Sequence, residues 1–347
     1  MIRVLVVDDS SFMRSAISRT LTASGLFEVV GQAKDGRDAV ARVTELRPDV
    51  VSMDFNMPGM NGVDAVRAIM SARPTPIVMF SAHTLEGAAE TLDALAAGAV
   101  DFLTKPAGEV SADLSKIQAE LCRKLADAAG AKTSAPRPSR PRAVAPPIKA
   151  PPPSGRGAHT TTALSRLCVI AISTGGPAAL TRILPDFPAD TRFGIVVVQH
   201  MPAHFTRALA DRLDLVCSLT VREAAPGDRP RPGLVLVAPG DRHLEFDSTG
   251  AVVLSDGPLL HGCRPAADLA MISAAKVYKQ RAIGVVMTGM GKDGAAGARA
   301  IRSAEGRTLA QDEASSAIFG MPKAAIDAGA IEEVVPLEGI PAKLRYM

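Results

Sequence analysis

Two sets of side chains in this sequence have types and spacing that could do chemistry. In the first, Asp8 and Asp9 close the apolar run RVLVVDD, Asp54 closes VVSMD, Ser81 ends PIVMFS, and Lys105 follows VDFLT. Carboxylates gathered at one edge repel one another and raise each other's pKa unless a cation neutralises them. Mg²⁺ suits such a set, because it takes carboxylates, a carbonyl, water and a phosphoryl oxygen. The Asp54 carboxylate could then attack a phosphoryl donor, with Ser81 and Lys105 stabilising the added oxygens. In the second set, Ser173 ends VIAIS, His200 ends GIVVVQH, and Asp293 follows VVMTGMGK. A serine, an imidazole and a carboxylate at one edge could act as nucleophile, base and orienting acid.

Taken singly, each residue has a plainer role. Asp9 or Ser10 would cap the helix beginning SFMRSAI, Lys105 would be solvated, and Asp54 would open a turn. Ser173 and Thr174 would cap a helix or cradle a phosphate, and His200 would simply begin a loop. Only as sets at common edges do they point to sites.

The elements that must position them are strands and helices in alternation. The first part of the chain offers RVLVVD, FEVVGQA, VVSMD, PIVMFSA and VDFLTKP with amphipathic segments between them. Five such βα units predict a doubly wound parallel sheet, a (βα)5 domain, with ligands at the carboxyl ends of its strands. The later part offers LCVIAIS, FGIVVVQH, GLVLVAP, AVVLS, AIGVVMTG and TLAQDE, again α/β and mostly parallel. A small antiparallel hairpin is expected around GLVLVAPGDRHLEFDSTGAVVLS. Between the two lies a proline- and arginine-rich stretch that cannot pack a core. The expected organisation is therefore a first domain over 1–128, a linker over 129–163 and a second domain over 164–347.

Composition narrows the function classes. The chain has 347 residues and a net charge of +3. Six of its basic residues and none of its acidic ones lie between Gly130 and Ala163, so the remainder carries −3 and does not call for a nucleic-acid partner. A DNA-binding output would need a helix-turn-helix pattern and a basic face, and the second domain has neither. No apolar run approaches the ~20 residues of a membrane span, and the chain begins directly in a strand pattern, so a cytoplasmic monomer without membrane insertion is expected. Cys122, Cys168, Cys217 and Cys263 have no metal or redox spacing and read as free thiols. His200 and His204 are four apart, but Pro202 interrupts the helix a zinc pair would need.

Gly289, Gly291 and Gly294 spell G-x-G-x-x-G, with Asp312 about twenty residues beyond the motif, the dinucleotide fingerprint. Asp293 stands against that reading, since a carboxylate at the helix start would repel a pyrophosphate. The motif also falls late in its domain rather than in the first βα turn. The preferred reading makes these glycines close-approach backbone that lets Asp293 reach His200 and exposes the Met290 N–H.

The motifs VLVVDDS, VVSMDFNMPGMNG, PIVMFSA and AGAVDFLTKP resemble a response-regulator receiver. The motifs AISTGGP, VVVQHMPAHFTRALADRL, APGDRHLE, VVMTGMGKDGAAG, LAQDEASSAIFGMP and AIDAGA resemble the catalytic domain of chemotaxis protein-glutamate methylesterases. The resemblance implies phosphorylation at Asp54 by a chemotaxis histidine kinase. It implies Mg²⁺ held by Asp9 and the Asn56 carbonyl with Asp8 assisting, and a switch aromatic at Phe102. It further implies a Ser173–His200–Asp293 triad, Thr174 and Met290 as oxyanion candidates, and no cofactor for ester hydrolysis. Its implied substrate is a glutamyl methyl ester on a methyl-accepting chemoreceptor, with glutamine deamidation as a second activity. One departure stands out: the family commonly has His-Arg-Pro-Ser-Val-Asp where this chain has Cys263-Arg264-Pro265-Ala266-Ala267-Asp268.

Overall fold

A computed structural model describes residues 1–81, 85–105, 114–133 and 166–347. Its first unit runs β1 (Ile2–Val7), α1 (Ser11–Ala23), β2 (Phe27–Ala33), α2 (Gly36–Leu46), β3 (Val50–Asp54), α3 (Gly62–Ala72), β4 (Ile77–Ser81), α4 (Leu85–Ala97), β5 (Asp101–Thr104) and α5 (Leu114–Ala129). All five strands pair in parallel in the order β2-β1-β3-β4-β5. Apolar residues on both strand faces bury against helices on both sides, which is why these strands read as near-continuous hydrophobic runs. The helix starts are chemically marked: Ser10, Asp35 and Asn61 accept backbone N–H bonds from Met13, Asp38 and Asp64. Ser10 is thus the cap of α1, leaving Asp9 exposed at the strand edge.

The second unit begins with β6 (Arg166–Ile172), α6 (Gly176–Ile183), β7 (Phe193–Gln199), α7 (Phe205–Asp214), β8 (Thr220–Glu223) and β9 (Leu234–Val237). It continues with β10 (His243–Phe246), β11 (Val252–Ser255), α8 (Ala267–Tyr278), β12 (Ala282–Val286), α9 (Ala295–Ser303), β13 (Arg307–Gln311), α10 (Met321–Asp327), β14 (Glu333–Val335) and α11 (Ile340–Arg345). Its parallel sheet has the order β14-β13-β12-β6-β7-β9-β8, and β10 pairs with β11 as an antiparallel hairpin. The run GLVLVAP supplies β9, which joins the main sheet rather than the hairpin. The two edge strands, TVRE and EVV, are not among the apolar runs of the sequence, because each is short and only part of it faces the core.

From β6 the chain moves to β7 on one side and later returns to β12 on the other. This is the kind of switch point at which open α/β sheets bind ligands. The two units also touch. Helix α4 packs on α6 and α7, and one apolar cluster runs from Leu95 and Phe102 into Phe205 and Leu209. The greater part of the expected linker, residues 134–163, lies outside the described residues.

Candidate functional site

The receiver-like edge gathers the first set. Asp8, Asp9 and Asp54 bring one carboxylate oxygen each within 4.8 Å of one another. Lys105 Nζ lies 2.6 Å from Asp54 Oδ1 and 3.5 Å from Asp8 Oδ2. Burial and then the Asp54 charge push the Asp8 carboxyl above its ordinary range, against the pull of Lys105. Burial opposes the charge on Lys105, but Asp54 and Asp8 outweigh it and raise its pKa. An excess of carboxylate over a single ammonium in a half-closed edge fits a divalent cation. Asn56 is exposed beside it, and the Ser81 side chain lies outside the described residues. Phe102 is buried, stacks on Phe205 with ring centroids 4.5 Å apart, and carries Lys124 Nζ 5.2 Å from its own centroid.

The second set converges from three adjacent strands. Ile172 registers with Gln199 and Ala171 with Val286, so Ser173, His200 and the loop to Asp293 all leave the sheet at the same edge. His200 Nε2 lies 2.7 Å from Asp293 Oδ2, leaving Nδ1 for another partner. Burial pushes the His200 imidazole down, but the hydrogen bond to Asp293 and contact with the Cys263 thiol raise its pKa to about 9. The Asp293 carboxyl is held below its ordinary value although burial opposes this, first by His200 and then by the N–H groups of Ala267 and Asp268. Among the described residues no hydrogen bond joins Ser173 to His200; such contacts commonly tighten only when substrate enters.

Backbone donors surround Ser173. The N–H groups of Thr174 and Met290 have no partner among the described residues, whereas Gly175 N–H donates to Val100 O of the first unit at 3.2 Å. A Cβ on Gly289 would sit 2.7 Å from Ser173 Cβ, so glycine there lets the Met290 segment lie against the serine. At the start of α9, Gly294 N–H is shared by Asp268 Oδ1 and Asp293 Oδ1, and Gly297 N–H goes to Asp268 Oδ1. Two carboxylates therefore occupy the donors a pyrophosphate would need, and the glycine motif serves close approach instead.

Several contacts at this site are not legible in the sequence. Gln199 Nε2 donates to the carbonyls of both Ser173 and His200, at 3.0 and 3.3 Å. Thr174 Oγ1 donates to Asp101 Oδ2 at 2.7 Å, tying the Ser173 turn to the first unit. Cys263 reaches His200, and the departure at Cys263–Asp268 marked its segment but not its contact. His261 and Asp268 form, with Asp293, a cluster whose ligating atoms lie within 4.8 Å.

Fold and sites together define a two-domain response regulator, a receiver joined to an α/β domain with serine, histidine and aspartate at its switch point. Residues 4–114 match the response regulator receiver domain family and residues 168–344 match the CheB methylesterase family. A protein of Symbiobacterium thermophilum named protein-glutamate methylesterase/protein-glutamine glutaminase is 45% identical, the match covering 98% of this chain and 95% of that one. A protein of the same name from Pyrococcus abyssi is 46% identical, covering 98% and 92%. The crystal structure of the Thermotoga maritima CheB methylesterase catalytic domain matches with a TM-score of 0.51 at 43% identity, covering 52% of this chain and 97% of that one. The chain belongs to the CheB methylesterase family.

Proposed function

We propose that this protein is a phosphorylation-activated serine hydrolase that demethylates glutamate γ-methyl esters of chemoreceptors and deamidates receptor glutamines. The observation that carries the reading is the convergence of Ser173, His200 and Asp293 from three adjacent strands, with the 2.7 Å His200–Asp293 contact and two unpartnered N–H groups beside the serine. Ser173 Oγ attacks the ester carbonyl while His200 accepts its proton on Nδ1, the nitrogen left free by Asp293. Thr174 and Met290 N–H groups receive the negative oxygen as the C–O bond forms. His200 returns the proton to the departing methoxide, so methanol leaves, and water repeats the sequence on the acyl-serine to free glutamate. With a glutamine, ammonia leaves instead, by the same attack.

The receiver controls access in this reading. Asp54 accepts a phosphoryl group from a chemotaxis histidine kinase or a small phosphodonor. Asp8, Asp9, Asp54 and the Asn56 carbonyl would hold Mg²⁺, which neutralises the incoming phosphoryl oxygens when bound. Ser81 and Lys105 stabilise those oxygens. No nucleic acid takes part, and the protein acts as a cytoplasmic monomer on the receptor's cytoplasmic helices. None of the described helices is long and apolar enough to cross a membrane.

The test is methanol release from a methylated receptor fragment by wild type, Ser173→Ala and Asp54→Ala, each with and without acetyl phosphate. Loss of release in Ser173→Ala and loss of stimulation in Asp54→Ala are expected. Release that survives Ser173→Ala would overturn the nucleophile, and equal stimulation of Asp54→Ala would overturn the switch.

A further inference from the structure

We infer that Asp268 is a positioning residue for the proposed hydrolysis, holding the Asp293 carboxylate in line with His200 through an exchange of helix caps. The inference rests on the reading above and concerns a residue that never touches the ester.

Helices α8 and α9 begin side by side, and neither is capped by its own N-cap residue. Gly294 has no side chain, and Ala266 stands where the family commonly has serine, so it brings no capping oxygen. Each helix is capped by a carboxylate belonging to the other. Asp268 sits in the first turn of α8, and its Oδ1 accepts from Gly294 N–H at 2.9 Å and Gly297 N–H at 2.7 Å, the open donors of α9. Asp293 ends the loop before α9. Its Oδ2 accepts from Ala267 N–H at 2.6 Å and its Oδ1 from Asp268 N–H at 2.9 Å, the open donors of α8. Both carboxylates are only 2% exposed.

This exchange matters because the glycines beside Asp293 give its loop few side-chain anchors of its own. Gly291 and Gly294 take φ values of +94° and +89°, and neither supplies a side chain to anchor the segment. Asp268 fixes the start of α9 against α8, and that fixed start sets where the Asp293 carboxylate lies relative to His200. Without Asp268, Gly297 N–H is left unpaired and Gly294 N–H keeps only its 3.0 Å contact to Asp293. Asp293 then turns toward its own helix start and away from the imidazole. His261 completes the arrangement: its Nε2 lies 3.0 Å from Asp268 Oδ2, the carboxylate oxygen that takes no backbone N–H. A cation is not needed there, since three of the four carboxylate oxygens already take backbone N–H groups and the fourth faces His261.

The experiment uses the full chain and two independent readouts. The first follows the His200 ring by NMR as pH is varied, which needs no substrate. His200 faces Asp293 and Cys263 and should titrate near 9 in the wild type. Asp268→Ala should lower that titration toward the ordinary histidine value, as Asp293→Asn should, and the double variant should match Asp293→Asn alone. The second is kinetic: kcat for methanol release should fall by on the order of tenfold to a hundredfold in Asp268→Ala with KM little changed. Asp268→Asn, which keeps an oxygen for Gly294 and Gly297, should recover most of it.

An unchanged His200 titration in folded Asp268→Ala, or losses that multiply in the double variant, would overturn the positioning role. Asp268→Asn as impaired as Asp268→Ala would do the same. If Asp268→Ala does not fold, Asp268→Glu replaces it; it retains the charge but carries the carboxylate one methylene too far. The same downward titration is then expected, and an unchanged one overturns the proposal. Wild-type protein that shows the titration but releases no methanol would sink the hydrolase reading and leave the positioning geometry standing.

Discussion

Thr174 Oγ1, one residue beyond Ser173, donates a 2.7 Å hydrogen bond to Asp101 Oδ2, one residue before the receiver's Phe102. Lys124 Nζ steadies the same receiver strand, 3.1 Å from Asp101 Oδ1 and 2.6 Å from the Phe102 carbonyl. The proposed nucleophile turn and Phe102, the proposed switch aromatic of the receiver, are thus linked through a single side-chain contact.

Asp101→Ala should therefore raise hydrolysis in the absence of phosphodonor and shrink its stimulation. A hydrogen bond to a charged acceptor contributes about 1.5–3 kcal/mol net, so its loss should favour the open arrangement by roughly tenfold or more. Basal methanol release from full-length protein reads this directly, and an unchanged basal rate in folded protein would refute the latch.

Activity should climb with pH toward about 9. Only the neutral His200 imidazole can take the Ser173 proton, and its pKa is raised to about 9 because Asp293 and Cys263 outweigh burial. Asp293→Asn should move this limb to lower pH while kcat falls by on the order of ten-thousandfold. Stability runs the opposite way. A raised folded pKa stabilises the fold fully below the unfolded histidine value of about 6.5, and this contribution disappears as pH rises through about 9. Comparing denaturant midpoints of wild type and His200→Gln across pH 6 to 10 checks the sign.

Gly289→Ala should cripple hydrolysis while leaving the fold intact. The added methyl would stand 2.7 Å from Ser173 Cβ and 2.4 Å from Met321 Sδ. Methionine can yield, but the serine backbone cannot. Displacing a reacting atom by about 1 Å costs on the order of a hundredfold. Circular dichroism should match wild type, and a normal kcat would show that the serine turn has slack.

Lys105→Met should abolish phosphodonor stimulation with basal hydrolysis retained. It removes the cation facing both Asp54 and Asp8, whose carboxylates are almost wholly buried. Leaving those charges unpaired should lower stability and make it depend on added Mg²⁺. A melting temperature insensitive to Mg²⁺ would count against the cation site.

The sequence by itself determined the two parallel sheets and the residues at their edges, for a local reason. Buried parallel strands need continuous apolar runs, and the polar residue that ends each run must lie at a carboxyl edge. Asp8, Asp54, Lys105, Ser173, His200 and Asp293 were legible in that way. The edge strands β8 and β14 were not, because four and three residues carry too little apolar pattern to distinguish them from loops.

Only the tertiary structure decided which of those residues meet, and what holds them. The contacts of His200 with Cys263, Gln199 with two carbonyls, Thr174 with Asp101, and Asp268 with the α9 N-terminus join segments whose composition says nothing of one another. A hydrogen bond depends on distance in space, and sequence periodicity reports only which face of an element is buried. The pairing of Asp268 with Asp293 across two helix starts exists because the sheet order sets α8 beside α9, a fact of chain topology that no stretch of either helix encodes.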